Sequence, residues 1–360
     1  MNNQTKPIRV LVAGAGNMGG SHATAYHNME GFEICGLVST GKSKELLNQK
    51  LGGGYALFSD YSKALELTRP DAVSINTYPD THESYALQAF DQGCHVFMEK
   101  PIADTVAGAE RVAEAARQAG KKLVIGYILR HHPSWIKFIE IAQQMGKPLV
   151  MRMNLNQQSH GYMWTVHRNL MKSLSPIVDC GVHYIDVMCQ MVRSKPIQVG
   201  AIGARLTEAI PAGNYNYGQL QIRFEDGSVG WYEAGWGPMV SETAFFVKDV
   251  FGPKGAVSIV ARDAGGSGKS SSIDAHTKTE SLRIHHAELN EQDEFVRPDE
   301  WLDMTDEPGH QELCNREQAY FLKAIREDLD LTHHVQDAVD SLRIAFACDE
   351  SVRTGQVVKL

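Results

Sequence analysis

The chain has 360 residues, a formal net charge of −8, 43% hydrophobic and 22% charged residues. That length accommodates two domains of ordinary size, and the composition is that of a globular protein, neither disordered nor fibrous. The acidic balance argues against general affinity for nucleic acid or an anionic membrane surface, and no apolar run approaches the roughly 20 residues a bilayer-spanning helix requires.

The polar start, Met1 to Lys6, has no secretory apolar segment and leads straight into a strand at Ile8 to Ala13. A glycine turn then opens a helix near Asn17. Phe32 to Ser39 reads as a second strand, and Asp71 to Asn76 and Cys94 to Met98 as further ones, separated by a helix from about Asp80 to Asp91. An alanine-rich helix from about Asp104 to Ala119 stops at Gly120, and Lys122 to Gly126 is again a strand. Strands alternating with helices of this length imply βαβ units and a parallel sheet.

After Tyr127 the pattern changes. Helical stretches at about Pro133 to Met145 and Pro176 to Val192 are interleaved with strands that no helix separates. Gly218 to Phe224 and Ser228 to Trp236 flank Glu225-Asp226-Gly227, a hairpin signal, and Phe245 to Phe251 and Ala256 to Val260 continue it. Arg262 to Glu280 reads as a surface loop, since its Gly265 to Ser270 stretch lacks the first glycine of a phosphate-binding loop. Amphipathic helices from about Gln311 to Glu327 and Val335 to Thr354 close the chain. The expected organisation is α/β: a doubly wound parallel domain over 1–127, then an α+β domain over 128–360 with a mostly antiparallel sheet and helices on one face.

Cys35, Cys94, Cys180, Cys189, Cys314 and Cys348 form no C-x-x-C pair, so free thiols in a reducing cytoplasm are expected, with no disulfide and no metal site. The adjacent histidines His131-His132, His285-His286 and His333-His334 point apart on any regular element and do not chelate one ion.

Gly14-Ala15-Gly16-Asn17-Met18-Gly19 follows a strand and opens a helix. Its first glycine permits the tight turn, its second lets backbone amides approach a pyrophosphate, and its third lets helix and strand pack closely. An NAD-preferring site places an acid at the end of the second strand to hold the ribose hydroxyls. Here that strand runs into Ser39-Thr40-Gly41-Lys42-Ser43-Lys44, with hydroxyls and lysines that suit a 2′-phosphate. NADP is therefore favoured over NAD, against the alternative of a solvated loop with a helix cap at Ser43.

Val96 to Pro101 is an apolar run ending in Glu99-Lys100-Pro101. Parallel sheets place their chemistry beyond strand carboxyl ends, so Lys100 is well set to meet a substrate, although a solvated Glu-Lys pair reads the same way. Ser175-Pro176 marks a helix start, and that helix carries Asp179 and His183 four residues apart, with Asp186 three further on, along one face. An imidazole that exchanges a proton, an ammonium that stabilises an alkoxide and a carboxylate that orients them are what alcohol–carbonyl interconversion needs. From the helix alone, Asp179 facing the helix dipole and His183 as a satisfied core residue is the favoured reading.

Taken in order, Gly14 to Gly19, Asn76-Thr77-Tyr78-Pro79-Asp80-Thr81-His82, Glu99-Lys100-Pro101, Gly126 to Arg130 and Asp179-x-x-x-His183 resemble the Gfo/Idh/MocA family of sugar and cyclitol oxidoreductases. The resemblance implies a Rossmann domain and Lys100, Asp179 and His183 as the active-site trio. It implies Thr77, Tyr78, Pro79, His82, Glu99 and Lys100 along the cofactor, a cis peptide before Pro101, and a homodimer or homotetramer formed through the second domain's sheet. It further implies substrate contacts from Tyr127, Arg130 and a loop over 160–172 that holds Tyr162, Trp164, His167 and Arg168. The activity it implies is NAD(P)-dependent hydride transfer on a sugar, sugar derivative or cyclitol. An NAD-dependent glycosidase using transient oxidation and a non-catalytic sugar-sensing protein are the competing readings.

Overall fold

The computed structural model describes residues 6–242, 247–260, 270 and 277–360. The chain divides into two compact units, Met1–Ile128 with His310–Val339, and Leu129–Gly309 with Asp340–Leu360. The first unit's opening segment ends at Ile128, beside the expected boundary at 127, and His310–Val339, expected with the second domain, folds with the first unit.

In the first unit, β1 (Ile8–Ala13), β2 (Phe32–Val38), β3 (Leu57–Phe58), β4 (Ala72–Ile75), β5 (His95–Glu99) and β6 (Leu123–Gly126) form one parallel sheet in the order β3-β2-β1-β4-β5-β6. β4 and β6 are buried at every position, as strands covered on both faces must be, and only Ser74 interrupts their apolar and glycine residues. The connecting helices are α1 (Asn17–Asn28), α2 (Ser43–Lys50), α3 (Tyr61–Thr68), α4 (Pro79–Asp91) and α5 (Val106–Ala119). α5 shows why its ends fall where they do: the Thr105 hydroxyl accepts from Gly108 N–H at 3.0 Å, and Gly120 takes a left-handed φ of 61°. Strand order reverses between β1 and β4, which makes their carboxyl ends the switch point where such sheets bind ligands. α9 (His310–Arg326) packs along α1 and sends Phe321 into the core beside Phe32 and Phe97.

The second unit holds α6 (Pro133–Gln144), α7 (Gly161–Leu170), α8 (Val182–Val192) and the strands β7 (Val150–Gln158), β8 (Pro196–Ala204), β9 (Tyr217–Phe224), β10 (Val229–Gly237), β11 (Lys248–Gly252), β12 (Gly255–Val260), β13 (Ser281–His286), β14 (Glu300–Asp303) and β15 (Val358–Lys359). They form a nine-stranded sheet in the order β14-β13-β12-β11-β7-β10-β9-β8-β15, antiparallel except for the pair β7–β10. The β9–β10 hairpin turns at Gly227, whose φ of 84° suits glycine. Trp135 of α6, Tyr184 of α8 and Tyr232 of β10 are buried together, the two tyrosine rings stacked at 5.2 Å. α10 (Thr332–Thr354) runs from the first unit's residues into the second's.

Residues 160–172, expected as a loop, mostly form α7. Only His167 of α7 is buried, so its sequence has no apolar stripe by which a helix announces itself. Phe245 and Phe246 of the expected strand, and Gly265 to Lys269, lie outside the described residues.

Candidate active site

The glycine turn divides its work as the fingerprint demands. At Gly14, φ is 92°, and a side chain's first carbon would lie 2.4 Å from the Asn76 carbonyl oxygen. At Gly19 it would lie 1.9 Å from the Gly14 oxygen, so strand, turn and helix touch through bare backbone. At Gly16 it would meet nothing within 4 Å, which leaves the amides beyond it open to a ligand. α1 begins there with no side-chain cap and no acid in its first turn; Asn17 is exposed and Met18 half-buried. These residues fit the pyrophosphate of a dinucleotide.

Beyond β2, Ser39 and Ser43 join their hydroxyls at 2.7 Å; Ser43 is the first residue of α2, and the cap position falls on Lys42. Thr40 and Lys42 are exposed, while Lys44 is buried and donates to the Gly41 carbonyl at 2.8 Å. No acid lies between Ser39 and Lys44.

Beyond β4, the Thr77 and Thr81 hydroxyls pair at 2.6 Å, Tyr78 is exposed, and Pro79 starts α4. His82 is wholly buried: Nδ1 is 2.7 Å from the Pro101 oxygen and Nε2 is 3.0 Å from the Thr77 oxygen. Burial lowers its pKa from the ordinary imidazole value, while the contacts to the two carbonyl oxygens work against that shift. His82 thus fastens the loop after β4 to the loop after β5 from behind. Glu99 is only 6% exposed, so among the expected cofactor-lining residues it and His82 are buried. Lys100 is half-buried, and its peptide bond to Pro101 is cis as the resemblance implied.

In the second unit, the Ser175 hydroxyl accepts from Val178 N–H at 3.1 Å, which starts the helix where Ser175-Pro176 marked it. The first turn, Ile177–Gly181, is π-helical, and α8 follows directly. One extra residue per turn is a rare arrangement, favoured where a side chain must be re-aimed at a functional site. Asp179, Cys180 and His183 are partly exposed, while Ile177, Val178, Gly181, Val182 and Tyr184 around them are buried. Polar groups break the surface on an otherwise apolar element.

Near Asp179 lies a group that sequence reading placed only in general terms. His167 of α7 stacks on Trp236 at 4.2 Å with the rings 10° apart, and Trp236 Nε1 donates to Gln157 Oε1 at 2.8 Å. Burial drops the His167 pKa to about 4, with the Asp179 charge pulling the other way, so His167 is neutral at physiological pH. Cys180 Sγ lies 3.6 Å from Asp179 Oδ2 and 3.5 Å from Gln157 Oε1. Gln157 and Trp236 come from adjacent strands in register, a juxtaposition that strand pairing alone reveals. On α7 the Arg168 guanidinium sits 5.7 Å over the Trp164 ring.

Two expected substrate contacts have little exposed side chain. Tyr127 is completely buried. Arg130 forms a two-pronged pair with Asp186, its Nε donating to Oδ2 at 2.8 Å and its Nη2 to Oδ1, and both side chains are nearly inaccessible. Asp186→Ala leaves a buried guanidinium without its counter-charge and is expected to cost about 3–5 kcal/mol. Urea unfolding measures it; a loss under about 1 kcal/mol would show that Arg130 finds another anchor. The adjacent histidines of β13 behave as expected: His285 pairs with Asp299 at 2.8 Å and His286 with Glu300 at 2.7 Å.

The sequence profile of the oxidoreductase family with an NAD-binding Rossmann fold, Gfo/Idh/MocA, matches residues 8–127, and that family's C-terminal domain matches residues 140–258. The chain belongs to the Gfo/Idh/MocA oxidoreductase family. Among curated relatives, D-glucoside 3-dehydrogenase of Escherichia coli is 26% identical over 51% of this chain and 53% of its own length. Inositol 2-dehydrogenase of Paracoccus denitrificans is 28% identical over 50% and 53%, and inositol 2-dehydrogenase 4 of Saccharopolyspora erythraea is 30% identical over 58% and 61%. The chain thus spans only about half to three-fifths of the curated relatives it matches. In fold it is similar to a scyllo-inositol dehydrogenase from Lactobacillus casei solved with NAD(H) and scyllo-inositol, at a TM-score of 0.77, 20% identity, and 98% and 99% coverage of the two chains. An Agrobacterium radiobacter oxidoreductase in complex with NAD+, L-tartaric acid and magnesium gives 0.77 at 12% identity, covering 98% of each chain. Among the described residues no helix is long and apolar enough to cross a membrane.

Proposed function

We propose that this member of the family is a cytoplasmic dehydrogenase that interconverts a secondary alcohol and a ketone on a sugar, sugar derivative or cyclitol. The observation that carries the reading is the partly exposed Asp179 and His183 on the π-turn and its following helix, in a chain whose glycine turn fits a dinucleotide. A bound nicotinamide supplies the hydride acceptor, or the donor in reduction. The remaining work falls to side chains: His183 takes the hydroxyl proton, the Lys100 ammonium stabilises the developing alkoxide, and Asp179 holds the hydroxyl in place. Trp164, Arg168 and the neutral His167 offer apolar, cationic and hydrogen-bonding contacts that suit a polyol. A panel of polyols and keto-sugars, followed by nicotinamide absorbance with each dinucleotide, tests the reading; no turnover across the panel would speak against it.

The dinucleotide of choice is NADP. With hydroxyls and an exposed Lys42 where an acid would repel a 2′-phosphate, kcat/KM for NADP is expected to exceed that for NAD by about tenfold or more. Ser39→Asp is expected to reverse the order. Preference for NAD in the unaltered protein would overturn this assignment. Subunits associate as a homodimer or homotetramer through the sheet face opposite α6 and α8, which sedimentation measures.

A further inference from the structure

α9 carries an acid that the reading above leaves without a task. Glu317 is fully buried, and among the described residues neither of its carboxyl oxygens has a hydrogen-bond partner. Cys314 and Gln318 share its buried face on α9. Around it stand His22 and Tyr26 of α1 and, at the end of β5, Glu99 with Lys100 next in sequence; the buried His82 of α4 also acts on Glu99.

The hydrogen bonds among these groups run with one polarity. Gln318 Nε2 donates to His22 Nδ1 at 2.9 Å, so the imidazole proton sits on Nε2 and is donated to Glu99 Oε1 at 2.8 Å. Glu99 Oε2 accepts the Lys100 backbone N–H at 3.2 Å. Burial works to raise the Glu99 pKa, but the His22 hydrogen bond holds it below the usual carboxylate range. Burial, joined by the Glu99 charge, pushes Glu317 well above that range. Two carboxyls in one dry space do not both ionise.

We propose that Glu317 holds the single proton of this buried carboxyl pair and, by staying neutral, keeps Glu99 ionised as the positioning residue of Lys100. The proposal rests on Lys100 acting in the reaction. When Glu317 loses its proton to solvent at alkaline pH, a second negative charge appears where donor atoms of His22, Cys314 and Glu317 lie within 4.8 Å of one another. The His22 Nε2–H is then drawn toward two carboxylates, and the anchor on the Lys100 amide loosens. The retained proton also makes the fold pH-dependent: with its folded pKa raised, Glu317 ionises first in the unfolded chain, so stability falls as pH climbs from the unfolded value toward the folded one and levels off once the folded carboxyl ionises.

Glu317→Gln replaces the acid with a neutral group of the same shape, and the full-length protein is the material to use. The wild type is expected to show an infrared band of a protonated carboxyl at neutral pH that the variant lacks. The alkaline fall in kcat, and the decline in Tm as pH climbs above the ordinary carboxylate range, are both expected to shrink severalfold in the variant. Glu99→Gln is expected to lower kcat about tenfold with little change in the dinucleotide KM. Absence of the band together with superimposable pH profiles overturns the proposal. So does a metal ion found by elemental analysis and lost in Glu317→Gln, since Glu317 would then be a ligand. Wild-type turnover in Lys100→Ala, with the band intact, removes Lys100 from the reaction and with it the positioning role, and is thereby told apart from failure of the proton assignment.

Discussion

His183→Ala is expected to lower kcat by about a hundredfold to ten-thousandfold, the usual contribution of a positioned general base, while dinucleotide affinity stays near that of the wild type. The reason is local. His183 belongs to the second unit, far along the chain from the glycine turn, and it sits partly exposed among buried neighbours, so its removal deletes the proposed proton acceptor without opening the core. Lys100→Ala is expected to fall in the same class through lost stabilisation of the alkoxide. Steady-state kinetics with dinucleotide titration measures both, and near wild-type kcat for His183→Ala would remove the imidazole from the mechanism. Raised pH is expected to restore some activity to His183→Ala, because hydroxide then replaces the lost base.

The three glycines of the turn are expected to respond differently to the same alanine. Gly19→Ala places a methyl group 1.9 Å from a backbone oxygen, so the first helix must pull away from the strand. A loss on the order of 3 kcal/mol or more is expected, with dinucleotide binding abolished. Gly14→Ala meets the Asn76 backbone at 2.4 Å and adds the strain of a positive φ. Gly16→Ala meets nothing, so the fold is retained and only the approach of a pyrophosphate suffers, by about tenfold or more in affinity. Thermal melts with and without dinucleotide separate the cases. Equal destabilisation at Gly16 and Gly19 would contradict this division of labour.

Much of the architecture was legible because its signals are local. The glycine turn, the apolar strands of the parallel sheet and the Gly227 hairpin each declare themselves within a dozen residues. The catalytic candidates of the second unit were legible as residue types, since Ser175-Pro176 fixes the helix start and the spacing of Asp179 and His183 follows. The π-turn was not, because one extra residue in a turn leaves no trace in apolar periodicity. Arg130 has a partner that its motif does not reveal. A family motif drew it toward substrate, while Asp186, recognised on the same helix as His183, proved to be its counter-ion. The partnership of His22, Glu99 and Glu317 joins residues nearly 300 apart in sequence, beyond the reach of any periodicity.

That long return of the chain bears on biogenesis. The nucleotide-binding unit lacks Phe321 and its neighbours until α9 has emerged from the ribosome, because α9 supplies part of the cover over α1 and the core. A nascent chain ending near residue 128 therefore leaves Phe32 and Phe97 without Phe321 against them. Maturation of this half must wait for translation of the other.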